Sequence, residues 1–469
     1  MTGARFERHM SDEDALMWNI EKDPILRSTI LAVAILDRAP DWNRLRARIE
    51  RATRVIPRLR QRVLSPPFRL GPPRWVVEES FDLDFHLRRV RLSAPGDRRA
   101  LLDALQPIAS AAFDRARPLW EFTLFEGLDG EGAALAMKVH HAVTDGVGGM
   151  ALLTELIDLE RHPAETAATT DDATLPAVPI GERLGTIALV RDSLRHSRRR
   201  ALGIVRRVPG TVISTSFGAV RHPVGTGANL AINVRSIAKM LAPATAPMSP
   251  IMRERGLGRR LAHFDVSLDD MRRAGKAAQG SVNDVFLAAV VGGLQRYHDR
   301  HGAPLEALRL TMPINLRTSD DPAAGNRFAP ARFPVPATIL DVGERTRTLG
   351  AIARSWRAEP ALQMTSALAG VLNRLPTSTT TALFGSMLKC CDLVATNVPG
   401  APIPVYSAGA RVERLYAFAP PSGAALNIGL ISHCDVCCIG IVVDTTAVPD
   451  ADVLVQCLQE GFDDVLSFT

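Results

Sequence analysis

Residues 134–149 read ALAMKVHHAVTDGVGG, an apolar run that ends in two adjacent histidines and a glycine-rich segment. The apolar residues before His140 predict a buried strand, and the glycines after Asp145 predict a tight turn into a helix. Successive side chains on a strand point to opposite faces, so His140 and His141 are expected in different surroundings. One imidazole can therefore reach a cleft while the other packs in the interior.

The chemistry of this segment is that of an acid or base. Imidazole titrates near neutrality, which suits it to take a proton from an alcohol, an amine or a thiol. Two histidines alone are more often structural, and the Asp145-Gly146 that follows makes the pattern more specific. The sequence lacks G-x-x-x-x-G-K-[ST], G-x-S-x-G and H-E-x-x-H. That absence disfavours nucleotide hydrolysis, α/β-hydrolase chemistry and zinc proteolysis.

Strands and helices alternate on both sides of a polar region, which predicts an α/β protein with mixed sheets and helices. We predict an N-terminal domain over residues 1–160, which holds the double histidine, and a C-terminal domain over residues 223–469. Between them, residues 161–222 are predicted to be a linker and a basic amphipathic helix. Within the first domain, Phe81–Leu87 is predicted to be extended.

The predicted amphipathic helix spans Leu184–Val208. Its apolar residues recur at spacings of three, four or seven, and most of its arginines fall on the other face. One interpretation is a connector that packs on the protein with a solvated arginine face. The other is a contact with a membrane surface.

The chain has enough apolar residues to bury large cores, since 46% of its 469 residues are hydrophobic and 23% are charged. The net charge of +6 fits anionic partners such as phosphates, coenzyme A or anionic lipid, and is also ordinary for an arginine-rich protein. Cys434-x-x-Cys437 has metal-ligand spacing, but its apolar surroundings favour core cysteines, and we predict no metal site. A charged N-terminus without an apolar signal-peptide core predicts a cytoplasmic location.

The HHxxxDG pattern resembles the signature of the chloramphenicol-acetyltransferase-like, coenzyme A-dependent acyltransferases. Other segments, in order and over nearly the whole chain, resemble the bacterial wax ester synthase/diacylglycerol acyltransferase family. These segments are Ser11–Ala15, Pro118–Trp120 with Gly127-Leu128, Ser281–Val285, Met312–Arg317, Gly325–Arg327, Thr396–Gly400 and Ala408–Ala410. The chain departs at Thr396, where the family usually has serine, and over Asn19–Arg27, a polar stretch that would alter the entrance for the acyl group or the acceptor.

The resemblance implies two chloramphenicol-acetyltransferase-like domains around a central channel, with the double histidine in its middle. It implies that His141 is the general base and that His140 shapes the loop. It further implies that Asp145 pairs with an arginine and holds the loop. Gly146 would let the backbone turn without a Cβ atom.

Two further residues are candidates for contact with the substrate. Asn283 is a candidate polar group near the site; the alternative is that Asn283-Asp284 only cap the helix that starts at Val285. Trp120 would either line the acyl tunnel or pack in the core.

The predicted function is a long-chain acyl-CoA:alcohol O-acyltransferase that makes triacylglycerol from diacylglycerol, wax esters from fatty alcohols, or both. Acyl-CoA is a substrate, and no cofactor is expected. One alternative is transfer to another hydroxyl or amine, such as a polyketide or glycolipid acceptor. Another is a catalytically weak lipid-surface protein that keeps the fold. We expect peripheral contact with the anionic inner membrane or lipid droplets, and no nucleic-acid partner.

Overall fold

The computed structural model describes two six-stranded sheets, a separate two-stranded hairpin and the helices that flank them. Two of the predicted site residues, Asp145 and Gly146, lie outside the described residues. The described residues are 8–67, 71–143, 154–163, 177, 179–182, 184–198, 246–315, 328–359, 369–370, 372–373 and 376–468.

Helices and strands alternate along both halves of the described chain. In the first half they are α1 (Asp12–Ile20), β1 (Thr29–Leu36), α2 (Trp42–Val55), β2 (Gln61–Leu64), β3 (Arg74–Val77), α3 (Leu83–His86), β4 (Leu87–Arg91), α4 (Arg98–Ser110), β5 (Trp120–Leu128), β6 (Gly132–His140) and α5 (186–198). In the second half they are β7 (Arg259–Ser267), α6 (Leu268–Ala277), α7 (Val282–Arg300), β8 (Ala307–Asn315), β9 (Phe328–Pro336), α8 (Val342–Arg357), α9 (Thr377–Lys389), β10 (Leu393–Pro399), β11 (Tyr406–Ser407), β12 (Ala410–Phe418), β13 (Leu426–His433), β14 (Val436–Asp444) and α10 (Ala451–Leu466).

The strand order of the first sheet is β11-β12-β1-β6-β5-β4, and that of the second is β7-β14-β13-β10-β8-β9. Both sheets mix parallel and antiparallel pairs, as predicted. The hairpin of β11 and β12 comes from the second half of the chain but pairs with β1 in the first sheet. The predicted domain boundaries at residues 160 and 222 stay a prediction, and this hairpin crosses between the sheets that they separate.

Short polar side chains set the starts of six of the helices. Each accepts a hydrogen bond from the backbone N–H of the third helical residue, which would otherwise have no partner in the first turn. Ser281 and Asp284 form the complete reciprocal capping box that their spacing predicts. The capping residues of this kind are Ser11, Asp41, Asp97, Ser267, Ser281 and Asp341.

Two local features differ from the sequence predictions. Phe81–Leu87 is not extended throughout, because Asp82 caps the short helix α3 within it. The helix α9 carries a threonine-rich first half and was not predicted at all. Of the predicted amphipathic helix Leu184–Val208, residues 186–198 are helical, and residues 199–208 lie outside the described part of the chain.

Within the described residues, no single helix is both long and apolar enough to cross a membrane. Taken together, α6 and α7 have the length and the apolar composition of a membrane span, but the two helices are bent by 92° relative to one another. Most of α7 is buried in the core of the second sheet's domain, where its apolar residues pack.

The helices α7 and α10 approach closely at two glycines. A Cβ atom on Gly293 would lie 2.6 Å from the Cα atom of Leu458, and one on Gly461 would lie 2.5 Å from the carbonyl oxygen of Ala289. No side chain fits at either position unless the two backbones move apart. These glycines therefore set the distance between the helices.

We expect Gly293→Ala to lower the free energy of unfolding by about 1–3 kcal/mol, because overpacking at a helix contact outweighs the better helix propensity of alanine. Chemical denaturation measures the change. Gly185→Ala is the matched control, since a Cβ atom there meets nothing within 4 Å. Equal stability of the two variants would contradict the role of this contact.

Candidate active site

The double histidine lies at the end of β6, where the neighbouring strand β1 holds it in register. Thr29 pairs with His140 across the antiparallel ladder. One residue further, the His141 N–H donates to the Ser28 carbonyl at 2.8 Å. The chain then turns, and the Val143 N–H donates to the His140 carbonyl at 2.9 Å. Main-chain hydrogen bonds alone therefore fix the backbone positions of both histidines.

The imidazole of His140 is almost completely buried. Its Nδ1 accepts the Ala142 N–H at 3.0 Å, so a neutral ring carries its proton on Nε2. That Nε2 lies 2.9 Å from Glu21 Oε1, a short contact whose alignment falls outside ordinary hydrogen-bond geometry. The rings of Trp18 and Phe113 stand edge-on to the imidazole. The ring of His140 is thus packed in the interior, and its loop-shaping role stays a prediction.

Glu21 is the acidic partner of this buried histidine and caps the end of α1. Its Oε1 also accepts the Ser28 N–H at 2.6 Å, and its Oε2 lies 3.5 Å from Arg115. Burial acts to raise the pKa of Glu21, but the contacts with His140, Ser28 and Arg115 outweigh it and lower the pKa. Glu21 is therefore a carboxylate at neutral pH.

A cavity of about 240 Å³ opens beside His140, and three cationic side chains and one carboxylate are part of its wall. The cations are Lys22, Arg27 and Arg115, and the carboxylate is Glu21. The stretch Asn19–Arg27, at which the chain departs from the family pattern, thus supplies three of the residues that line this cavity. Glu21 was not among the predicted site residues, because only the pairing of β1 with β6 brings it next to His140.

His141 differs from His140 in its surroundings. It is only half-buried, and it does not line the cavity that His140 and Glu21 share. The expectation that the two imidazoles face different surroundings therefore agrees with the structure. The structure brings His140 and His141 together, whereas Asp145 and Gly146 lie outside the described residues.

Asn283 lies in the first turn of α7, and it is not the residue that caps this helix. Asp284 closes the capping box with Ser281 and also accepts a bond from Arg354 at 3.0 Å. The Oδ1 atom of Asn283 accepts instead from the Nδ2 atom of Asn397 at 3.4 Å. Two segments that resemble family motifs thus meet through their asparagines, and the capping interpretation holds for Asp284 alone.

Trp120 packs in the core. Its side chain is completely buried, its Nε1 donates to the Leu59 carbonyl at 2.7 Å, and its ring stacks on His86 at 4.6 Å. Of the two alternatives for Trp120, the structure agrees with packing in the core and not with lining a tunnel. Burial lowers the pKa of His86 to about 4, so this histidine is neutral in the folded protein.

The burial of His86 predicts a stability that depends on pH. Its folded pKa of about 4 lies below the ordinary value of 6.5, so between these values the unfolded chain binds more protons than the folded one. Stability should therefore fall as the pH drops from 6.5 to 4, by on the order of 3 kcal/mol. Denaturant titrations of His86→Phe should show this slope flattened. The same substitution at exposed His162 is the control, and an equal flattening there would contradict the assignment.

All six cysteines are free thiols, and five of them are buried, as the core interpretation predicts. Burial raises the pKa of Cys437 to about 11 and that of Cys438 to about 12. Burial likewise raises the pKa values of Cys391, Cys434 and Cys457. In the part of the chain that the structure describes, no group of three or more potential ligands is arranged to hold a metal ion.

The two-sheet fold has solved counterparts. A wax ester synthase/diacylglycerol acyltransferase from Marinobacter aquaeolei VT8 superimposes with a TM-score of 0.63 at 22% identity, over 97% of this chain and 98% of that one. The first condensation domain of the calcium-dependent antibiotic synthetase superimposes with a TM-score of 0.62 at 16% identity, over 99% and 96%. The fold is therefore that of the two-domain, chloramphenicol-acetyltransferase-like acyltransferases, as predicted.

Sequence comparison identifies the family to which the chain belongs within this class of acyltransferases. Residues 10–286 match the model of the wax ester synthase/diacylglycerol acyltransferase catalytic domain, and residues 324–465 match that of the family's C-terminal domain. A protein of Mycobacterium tuberculosis with the provisional name diacylglycerol O-acyltransferase is 38% identical over 462 residues, which cover 98% of this chain and 92% of the relative. The chain belongs to the wax ester synthase/diacylglycerol acyltransferase family and is an O-acyltransferase.

Proposed function

We propose that this protein transfers a long-chain acyl group from acyl-CoA to the hydroxyl of diacylglycerol, of a fatty alcohol, or of both. The observation that carries the proposal is the placement of the two histidines. The half-buried His141 follows directly on a completely buried His140 at the end of β6, in a chain of this family. The products would be triacylglycerol or wax ester, together with free coenzyme A.

In the proposed reaction His141 is the general base. Its neutral imidazole takes the acceptor's hydroxyl proton while the oxygen attacks the thioester carbonyl carbon. The tetrahedral intermediate then collapses, the C–S bond breaks, and the imidazolium returns the proton to the sulfur of coenzyme A. General-base assistance of this kind contributes about 10²–10⁴-fold to a rate. Holding the two substrates in reacting geometry supplies much of the remainder.

Direct transfer needs no acyl-enzyme. A thiol becomes a useful nucleophile only when its pKa is lowered, and the pKa values of five of the cysteines are raised by burial. A histidine that deprotonates the acceptor removes the need for a protein nucleophile. We therefore propose a ternary complex of enzyme, acyl-CoA and acceptor.

Basic side chains near the double histidine support an anionic donor such as acyl-CoA. A groove of about 530 Å³ lies between the Lys22-Asp23 pair and the helix α9. Lys22 and Lys389 line it, and Lys22 also lines the cavity beside His140. Lys389 forms an ion pair with Asp23 at 2.5 Å. Lys22 is exposed and has no ion pair among the described residues, so it is the lysine of this groove that is available to an anion.

We expect His141→Ala to reduce acyl transfer by about 10²–10⁴-fold with little effect on the melting temperature, since the imidazole is the proposed base. The assay follows coenzyme A release from palmitoyl-CoA with diacylglycerol or hexadecanol, and identifies the lipid products. His140→Ala is the companion variant, and it should lose stability as well as activity because its ring is buried. Near-normal turnover by a folded His141→Ala would contradict the assignment.

We also propose that α5 rests on an anionic lipid surface. One face of this helix holds Leu189 and Ser193 in the interior, and an ion pair joins Asp192 to Arg74 at 2.7 Å. The other side exposes Ile187 by 86% and Leu194 by 50%. This differs from the apolar pattern, in which Ile187 and Leu194 belong to the face expected to pack.

Arginines share that exposed side of α5. Arg191 and Arg198 are exposed. In the order Ile187, Arg191, Leu194 and Arg198, neighbouring members are three or four residues apart, so the four side chains form one stripe along the helix. Apolar side chains on such a stripe can enter the interface between headgroups and acyl chains, while guanidinium groups bind lipid phosphates. This arrangement supports the membrane interpretation over the connector with a solvated face.

Binding to phosphatidylglycerol vesicles should weaken as salt rises from about 50 mM to about 500 mM, because the arginine–lipid attraction is screened. Replacing Arg191, Arg195 and Arg198 by glutamine should weaken it by about tenfold or more. Sedimentation with vesicles measures both effects. The double variant Ile187→Ser, Leu194→Ser should also bind less, whereas Leu340→Ser, which alters an exposed leucine elsewhere, should not. Binding that ignores salt and all of these changes would refute the proposal.

A further inference from the structure

The backbone of Ser28 links Glu21 to the double histidine. The Ser28 N–H donates to Glu21 Oε1 at 2.6 Å, and its carbonyl accepts the His141 N–H at 2.8 Å. Ser28 is itself buried. The N–H and the carbonyl of Ser28 therefore connect the Glu21 carboxylate to the main chain of His141.

The same oxygen also faces His140. Glu21 Oε1 lies 2.9 Å from His140 Nε2, and the other ring nitrogen is taken by the Ala142 N–H. The ring can thus present Nε2–H to Glu21 in only one of its two neutral tautomers. A single carboxylate oxygen consequently contacts the ring of one histidine and holds the strand segment that anchors the other.

We propose that Glu21 is the positioning residue of the double-histidine turn. It acts through His140 and Ser28 rather than on the reacting atoms, and the proposal rests on the function proposed above, in which His141 is the base. The turn also packs on α1, since Ala142 shares a buried cluster with Ala15 and Trp18. Because Glu21 ends α1, movement of this helix would reach His141 through Glu21.

Glu21 has to place an acceptor oxygen beside the buried Ser28 N–H and the buried His140 ring. Removing it leaves the Ser28 N–H without its acceptor and takes away the carboxylate that contacts the His140 ring, which frees the turn to shift. A displacement on the order of 1 Å at a catalytic group costs about 10²-fold in rate. A side-chain amide keeps an acceptor oxygen at the same position and should preserve much of the arrangement.

The test compares Glu21→Ala, Glu21→Gln and Glu21→Asp with the wild type. Glu21→Ala should lower kcat by about 10–100-fold with the KM for palmitoyl-CoA within about twofold, because positioning of the base and not donor binding is lost. Glu21→Gln should recover most of kcat. Glu21→Asp, which withdraws the oxygen by one methylene, should fall between them and provides the same information if Glu21→Ala does not fold.

Glu126→Gln is the matched control, because it removes a carboxylate charge and a 2.8 Å ion pair with Arg89 from β5, the strand next to β6. Its kcat should stay within about twofold of wild type, since Glu126 lies opposite Ala133 at the far end of the ladder from His140. A loss of kcat equal to that of Glu21→Ala would overturn the proposal. So would a folded Glu21→Ala with unchanged kcat, or a change confined to KM.

A spectroscopic measurement separates this inference from the proposed function. In ¹⁵N-labelled protein, the hydrogen-exchange rates of the Ser28 and His141 amides report on the turn. Both amides should exchange slowly in the wild type and in Glu21→Gln, and about tenfold faster or more in Glu21→Ala, because the Ser28 N–H then lacks its acceptor and the Ser28 carbonyl holds the His141 N–H less firmly. Unchanged exchange at both amides would overturn the role of Glu21 whatever the activity, whereas the expected change in a protein without acyl transfer would refute only the proposed function.

Discussion

The antiparallel pairing of β1 with β6 is the constraint on which the site depends. Its register runs without a break from Thr29 opposite His140 to Leu36 opposite Ala133. Because side chains alternate with a period of two, a slip of one residue would exchange the surroundings of His140 and His141. Both strands are also held on their outer sides, β1 by β12 and β6 by β5, which leaves no room for such a slip.

The fold could be predicted wherever burial alone determines the pattern. The continuous apolar run before His140 predicts a buried strand, and the structure has it as β6. The strands β13 and β14 are apolar runs of the same kind and are likewise largely buried. The helix α9 escaped prediction because its threonines have poor helix propensity and its N-terminus has no capping side chain. It is stabilised by tertiary contacts such as that between Lys389 and Asp23, which no local pattern reports.

The candidate site was predictable in part. His140 and His141 stand out in the sequence because adjacent histidines at the end of an apolar strand are unusual, and their different surroundings follow from strand geometry. Glu21 does not stand out, because nothing in a polar stretch marks one carboxylate among its neighbours. Its partner is more than a hundred residues away, and only the pairing of the strands brings the two together. The meeting of Asn283 with Asn397 is hidden for the same reason.

The strand β12 has a consequence for how this molecule can be divided. The family's catalytic-domain model ends at residue 286, whereas β12 begins at Ala410. A fragment that stopped at residue 286 would leave the outer edge of β1 with a row of unpaired N–H and C=O groups, which is a template for association with another chain. The catalytic segment is thus a unit of sequence similarity and not of folding. The first sheet is therefore complete only when β12 has paired with the outer edge of β1.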